Sequence, residues 1–481
     1  MKKILAIFLI IVIIFAVGCS GDNTDSLSSD TSYDDVSQRA QANNDDNDKE
    51  PTPPEEKPEF ITIRGVEYST DLTELDLSNQ QLTDSAIEPL KHMTNLIKLD
   101  LSGYSNNISN ISPLANLTNL TWLNLSFNDI SDISPLSNLT NLTWLDLSLN
   151  KTSDISPLAN LINLEYLNLH NNQINDLSPL ANSNNLAELK LSNGQISDIS
   201  QLANLINLKT LDLSGNEISN ISPLANLTNL NHLDLIDNQI SDVNPLANLI
   251  NLGNLRLRGN QISDISPLAN LINLEYLNLY NIQISDISPL ANLTNLSGLD
   301  LTSNQVSDIS PLADLTNLVE LALGNNPISD ISPLKNLINL VKLSSWENLI
   351  SDISPLENLH NLEHLILIRS QTSDTNSLAN LNSLTYLDLR GNKITNLTPL
   401  SNLTNLECLF LEDNQISDLS PLKNLINLER LYLQRNQIND ASLLESLANL
   451  EYLNLYDNPI SDEQIEKLIA VLPNYKDTGP H

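Results

Sequence analysis

Apolar residues recur along this chain in a fixed register. In Leu120 to Asn141, LTWLNLSFNDISDISPLSNLTN, Leu or Ile falls at positions 1, 4, 6, 11, 14, 17 and 20, counting from Leu120. Steps of 22 residues from Leu120 land on a Leu at sixteen starts, ending at Leu450, with no insertion. Two looser copies of 24 residues precede them, at Leu72 and Leu96. Positions 4 and 6 alternate with polar residues, which is strand spacing. Leu123 and Leu125 should therefore point inward, and Trp122, Asn124 and Ser126 outward. Asn at position 9 is a turn residue whose amide can bond backbone within the turn. Ser134-Pro135, at positions 15 and 16, reads as a helix N-cap followed by Pro at the first helical position. Only a short helical or 3₁₀ turn fits before the next strand. One unit cannot enclose its own leucines, so neighbours must stack, and eighteen units predict a solenoid.

This pattern is that of the leucine-rich repeat. The 22-residue length and the SDISPLANL segment resemble the internalin-like class of bacterial surface proteins. The resemblance covers about residues 72–460 and implies an α/β solenoid. That fold is a horseshoe with a parallel β-sheet on its concave face and short 3₁₀ or irregular segments on its convex side. It also implies attachment to a surface protein of another cell or to neighbouring surface polymers.

The ends depart from the period. Met1-Lys2-Lys3 and the apolar run Ile4 to Val17 have signal-peptide character over 1–18 and are too short for a comfortable membrane span. Ala16-Val17-Gly18-Cys19 resembles a bacterial lipoprotein box, which implies cleavage before Cys19 and lipid on its thiol. The alternative is an ordinary secretory signal in which Cys19 is incidental. Residues 19–59, rich in Asp, Asn, Ser and Pro, lack the apolar surface to fold and read as an acidic tether. FITIRGVEY opens a β cap over 60–71, with Arg64-Gly65 placed to turn a hairpin. The array occupies 72–460. Ile465, Leu468, Ile469 and Leu472 are spaced along one helix face, which predicts a capping helix over 461–473 that Pro473 stops. Residues 474–481 read as a tail.

Composition narrows the function. The net charge of −36 excludes a phosphate-backbone ligand and suits basic partners. No nucleophile, P-loop or zinc motif is present, so the chain reads as a non-enzyme without a cofactor. Asp repeats at position 13 (Asp132, Asp154, Asp176, Asp198), where its expected role is to cap the turn. The row lacks the Gly-rich loops of a Ca²⁺ site, so no metal is expected. Cys408, the second of two Cys, stands at outward position 3 and reads as an inert thiol.

Outward positions 3, 5 and 7 form three columns on the inner face. All three Trp fall there, Trp122, Trp144 and Trp346. So do Tyr166, Tyr276, Tyr280, Tyr386, Phe410, Tyr432, Tyr452 and Tyr456. Strand propensity places aromatics in strands, but it does not explain their concentration on a face the core does not need. Exposed aromatics are the usual anchors of protein interfaces. They form an N-terminal run (Trp122, Trp144, Tyr166) and a C-terminal group (Tyr386 to Tyr456), around an acidic middle near Asp212 and Asp234. They are expected to be exposed in the free protein, so their truncation should barely change stability. The expected molecule is a monomer on the outer side of a bacterial membrane, held there by its lipid, that binds a protein or a glycan on the concave face. A structural spacer without ligand, or a cell-wall carbohydrate module, are the other readings.

Overall fold

The computed structural model describes residues 57–473. The signal segment, Cys19 with most of the tether, and the tail 474–481 lie outside the described residues. The described chain begins with a hairpin of β1 (Phe60–Ile63) and β2 (Val66–Ser69). Its turn residues Arg64 and Gly65 both have positive φ, 51° and 83°, the combination that matches strand twist in a two-residue loop. Ile61 and Ile63 are buried with the first repeat's leucines.

Eighteen strands follow, from β3 (Glu74–Asp76) to β20 (Tyr452–Asn454), most of them three residues long. Each pairs in parallel with the next one in sequence, so that Leu123 sits beside Leu145 and Leu145 beside Leu167. No residue pair joins β20 back to β3, so the sheet is open at both ends. The leucines at positions 4 and 6 are sealed in: Leu255, Leu257, Leu277 and Leu279 are all 0% exposed. Burying one such side chain contributes about 1.5–3 kcal/mol. Each repeat brings several and hides them only against its neighbours, so stability accrues through stacking. This is the leucine-rich-repeat solenoid with its parallel sheet on the inner face.

The convex segments are 3₁₀ turns that open at position 15, such as Ser134–Leu136 and Ser156–Asn160. The Ser at 15 is not their cap. It lies inside the turn and donates its N–H to the carboxylate at position 13: Ser134 to Asp132 Oδ1 at 2.8 Å, Ser156 to Asp154 Oδ1 at 2.8 Å. A 3₁₀ turn is so tight that the free N–H at its start is served from two residues upstream. The same bond holds the Asp132 and Asp154 carboxyls below the ordinary carboxylate value.

Two asparagine ladders tie the repeats together. Asn at position 9 bonds within its own turn, as its residue type suggests, and also reaches backward. Asn150 Nδ2 donates to the Leu147 carbonyl at 3.0 Å and to Leu125, one repeat earlier, at 2.9 Å, while Asn150 Oδ1 accepts the Ile130 N–H. The second ladder uses the Asn at position 22. Asn141 donates to the Thr118 carbonyl and Asn163 to Thr140, each at 2.9 Å. A further constraint lies at position 8, where the backbone is left-handed in all sixteen regular repeats, from Phe127 to Asp457. This explains the Asn, Asp and Gly that recur there, since other residues adopt αL at a cost of about 1–2 kcal/mol.

A helix, Asp462–Val471, ends the described chain. Ser461 accepts the Gln464 N–H as its cap, and Leu468 is buried with the core.

Candidate interaction surface on the inner sheet

Parallel pairing without slippage brings residues of equal repeat position side by side at strand spacing, roughly 4.8 Å. Ring after ring at position 3 must therefore lie face to face. Trp122 and Trp144 stack with centroids 4.3 Å apart and planes 11° apart. Trp144 and Tyr166 follow at 4.7 Å and 6°. Cations close both ends of this column: Lys98 Nζ lies 4.7 Å from the Trp122 ring, and Lys190 Nζ 5.4 Å from Tyr166.

A second run crosses columns. His364 meets Tyr386 at 5.6 Å, Tyr386 meets Phe410 at 5.2 Å, and Phe410 stacks on Tyr432 at 5.0 Å. Arg390 covers Phe410, and Arg430 covers Tyr452. Between the two runs, Arg256 lies over Tyr276 and Arg258 over Tyr280. The Tyr276 ring also lies where a Cβ on Gly298 would stand, and the Trp346 indole likewise occupies the space above Gly324. Both aromatics lie down on a glycine of the adjacent strand.

Contact among neighbours changes the expected exposure. Only Tyr456, 48% exposed, is open; the other ten aromatics are half-buried. Their truncation therefore costs stability as well as binding, since a stacked pair contributes about 0.5–1.5 kcal/mol beyond its buried area. Column 5 is deeper still, with Asp146, Asp234 and Asp388 all under 10% exposed. Sequence reasoning passed over one further pair, Tyr104 and Phe127, whose rings meet at 3.8 Å on the turn side of the inner sheet. The signal was available: Phe127 is a bulky residue at position 8, where small or polar residues prevail.

Burial shapes the electrostatics. It pushes the Asp234 carboxyl up to about 6, against the pull of Arg256 at 3.3 Å. It keeps His232 and His364 below the ordinary imidazole value, and pushes the Cys408 thiol up, so that the sulfur holds its proton. Glu412 is raised to about 7, chiefly by burial. Its Oε1 accepts from Gln434, its Oε2 has no hydrogen-bond partner, and Arg390 Nε stands 4.0 Å away. A raised carboxyl binds its proton more tightly folded than unfolded. Stability is thus highest below the ordinary value of 4.5 and falls as pH rises toward 7. Glu412→Gln is expected to raise stability at pH 8, by on the order of 1–3 kcal/mol, and to leave it unchanged at pH 4.5. Melting curves at the two pH values check this; equal shifts at both would refute it.

Among the described residues, no group of three or more His, Cys, Asp or Glu side chains is placed to hold a metal ion. No helix there is long and apolar enough to cross a membrane.

Family models for leucine-rich repeats match this chain. One spanning two repeat copies matches residues 118–160, 162–204, 206–248, 250–292, 294–336, 382–424 and 426–469, and another matches 70–130. A search of curated proteins finds no match. Among solved structures, an internalin (inlF) from Listeria monocytogenes is 36% identical, with 69% of this chain and 86% of that chain covered and a TM-score of 0.49. A leucine-rich-repeat protein of Leptospira interrogans is 24% identical over 84% of this chain and 99% of that one, with a TM-score of 0.58. The functional domain of InlJ from Listeria monocytogenes is 24% identical over 80% and 82%, with a TM-score of 0.56. The chain belongs to the leucine-rich-repeat family, and internalins are among the structures it is similar to.

Proposed function

We propose that this is a bacterial surface protein, anchored by lipid on Cys19, that holds a protein partner against the inner face of its sheet. The observation that carries the reading is the ring column Lys98, Trp122, Trp144, Tyr166, Lys190, continuous across five strands. Such a column is not needed to close the core, which is sealed by leucines. Its chemistry favours protein over sugar. A glycan platform needs free ring faces, and here the faces are spent on each other. What remains for a partner is ring edges, indole N–H groups and the Tyr166 hydroxyl, which suit peptide carbonyls and side-chain acceptors. Tyr456 is the exception, an exposed ring with no aromatic neighbour; a glycan array tests whether it serves a sugar.

Eighteen strands at ~4.8 Å give an inner sheet on the order of 85 Å along its arc, longer than one standard interface. One partner therefore uses part of it. The test begins with photo-cross-linking on intact cells to recover a partner. Its affinity is then measured for the chain, for Trp122→Ala with Trp144→Ala, and for Tyr432→Ala with Tyr452→Ala. At least one double variant is expected to lose about thirtyfold or more, and each to melt a few degrees lower from lost stacking. Undiminished affinity in both returns the array to the role of a spacer. The anchor is checked separately, by incorporation of labelled fatty acid and its loss in Cys19→Ala.

A further inference from the structure

In two adjacent repeats, those starting at Leu340 and Leu362, the division between inside and outside is broken at several positions. Polar residues enter the core: Ser345 at position 6 is 1% exposed, Ser370 at position 9 and Thr372 at position 11 are both 0%, and Thr375 at position 14 is 1%. Apolar residues come out: Trp346, Ile366 and Ile368 hold positions 5 and 7, where Asn, Asp and Ser prevail in other repeats. The two strands, Lys342–Trp346 and His364–Ile368, are five residues long and pair over all five, which carries the flat sheet out to position 7. On one side Ala322 and Gly324 clear space, so that the indole of Trp346 lies flat over Gly324. Each of these hydroxyls finds a partner, Asn348 for Ser345 and the carbonyls of Ile368, Ile350 and Asn396 for Ser370, Thr372 and Thr375, yet a polar group in place of Leu or Ile still gives up apolar burial in these layers. Single polar core residues occur elsewhere, at Thr152 and Ser183, but four in two adjacent repeats, with Trp346, Ile366 and Ile368 on the other face, mark a surface kept for binding.

Charge says what it binds. Where the chain enters the strands, position 2 carries Glu363, Glu407 and Glu429, all exposed. None of the three is in an ion pair among the described residues, whereas the nearby cations Lys342, Arg369 and Arg390 are each paired with a carboxylate. Glu363 also lines a groove of about 480 Å³ with Val319 and Val341, beside the same strands. Glu407 and Glu429 thus stand on neighbouring strands and Glu363 two strands away, and the cation beside them, Arg430, lies over the Tyr452 ring.

We propose that Trp346, Ile366 and Ile368, with Glu363, Glu407 and Glu429, form the docking site for a cationic amphipathic segment of a partner protein. Its apolar side chains lie on the indole and the isoleucines, and its Lys or Arg side chains reach the glutamates. This rests on the inner face being a protein-binding face, and narrows the site and the partner's chemistry.

The test uses the purified full chain and three synthetic peptides. Two are amphipathic helices with identical leucine faces, one with lysines opposite and one with glutamates; the third has the lysines without the leucines. Titration is followed by calorimetry and tryptophan emission at 150 mM salt. The leucine–lysine peptide is expected to bind at least tenfold more tightly than either other peptide. Ile368→Asp is expected to weaken it at least tenfold. Glu363→Gln, Glu407→Gln and Glu429→Gln together should weaken it and flatten its salt dependence. Gly324→Ala, which lifts the indole without adding a polar group, should weaken it and shift the emission, a control against misfolding in the aspartate variant. Trp122→Ala with Trp144→Ala should leave it unchanged. Equal binding of all three peptides, no binding, or wild-type binding by Ile368→Asp each overturns the proposal. If the Trp122 and Trp144 variant alone loses the peptide, this site is wrong and the inner face still binds.

Discussion

Leu277→Ala is expected to destabilise its layer of the array by about 2–5 kcal/mol, through lost transfer energy and the cavity left among fixed neighbours. Leu277 is 0% exposed, and it is paired in register with Leu255 and Leu299 on the adjoining strands. Those strands cannot close in, because their spacing is set by backbone hydrogen bonds. Leu255→Ala should cost the same. Leu343→Ala should cost less, because Ser345 replaces the second inward leucine of its strand and its hydroxyl is already turned to Asn348 Nδ2, at 2.9 Å. In a stacked array the damage is local before it is global. Amide exchange is therefore the sharper measurement: protection should fall first in the altered repeat and its two neighbours. Equal losses at Leu255, Leu277 and Leu343 would contradict this account.

Much of this fold can be read in one repeat. Position 4 and 6 leucines announce a strand because alternation has only one geometric meaning, and an uninterrupted 22-residue period fixes the register of every pair. Hence Trp122, Trp144 and Tyr166 could be placed in one column before any coordinates. Their stacking could not, since it depends on how each ring turns once its neighbours are 4.8 Å away, and with it went the expectation that these rings are exposed. The Asn at position 22 was equally hidden. Its side chain is exposed and reads as polar filler, and its acceptor lies 23 residues earlier, on the carbonyl of a different repeat. Ser134 was misread for a related reason. Ser before Pro is the signature of an α-helix start, and nothing in the residue pair tells that the turn is 3₁₀ and takes its acceptor from Asp132. The irregular repeats were visible only in part: Ser345 and Ser370 break the pattern on the page, but that Ile366 and Ile368 broaden one patch with Trp346 needed two strands to be extended together.

The buried asparagine ladder yields the second large effect. Asn260 is 3% exposed. Its Nδ2 donates to the carbonyls of Leu235 at 2.8 Å, Leu257 at 2.9 Å and Arg258 at 3.3 Å, and its Oδ1 accepts the Ile240 N–H at 3.0 Å. Asn260→Ala removes all four bonds and provides no replacement, because the groups left behind are backbone and face a sealed core. Stranding buried donors and acceptors costs about 1–3 kcal/mol each. With some relaxation or an admitted water, a total of about 2–4 kcal/mol is expected. The protein contains its own comparison. The same position is Gly194, Ile282 and Ser370, 88 residues apart, so three repeats already lack the bond. At Ile282 the next rung takes up part of the load, since Asn304 Oδ1 accepts both the Ile282 and the Ile284 N–H. At Ser370, Asn392 Oδ1 likewise accepts both the Ser370 and the Thr372 N–H, and the hydroxyl reaches the Ile368 carbonyl at 3.3 Å and that of Ser345 at 3.5 Å, but the Ile350 N–H gains no acceptor from this position. Ser370→Asn should therefore work in the opposite sense and stabilise, by about 1 kcal/mol, through a new acceptor for the Ile350 N–H. Amide exchange at Ile240 in the first variant and at Ile350 in the second, alongside melting, measures both. If Asn260→Ala leaves Ile240 as protected as before, the ladder is a by-product of the turn and not what locks one repeat to the next.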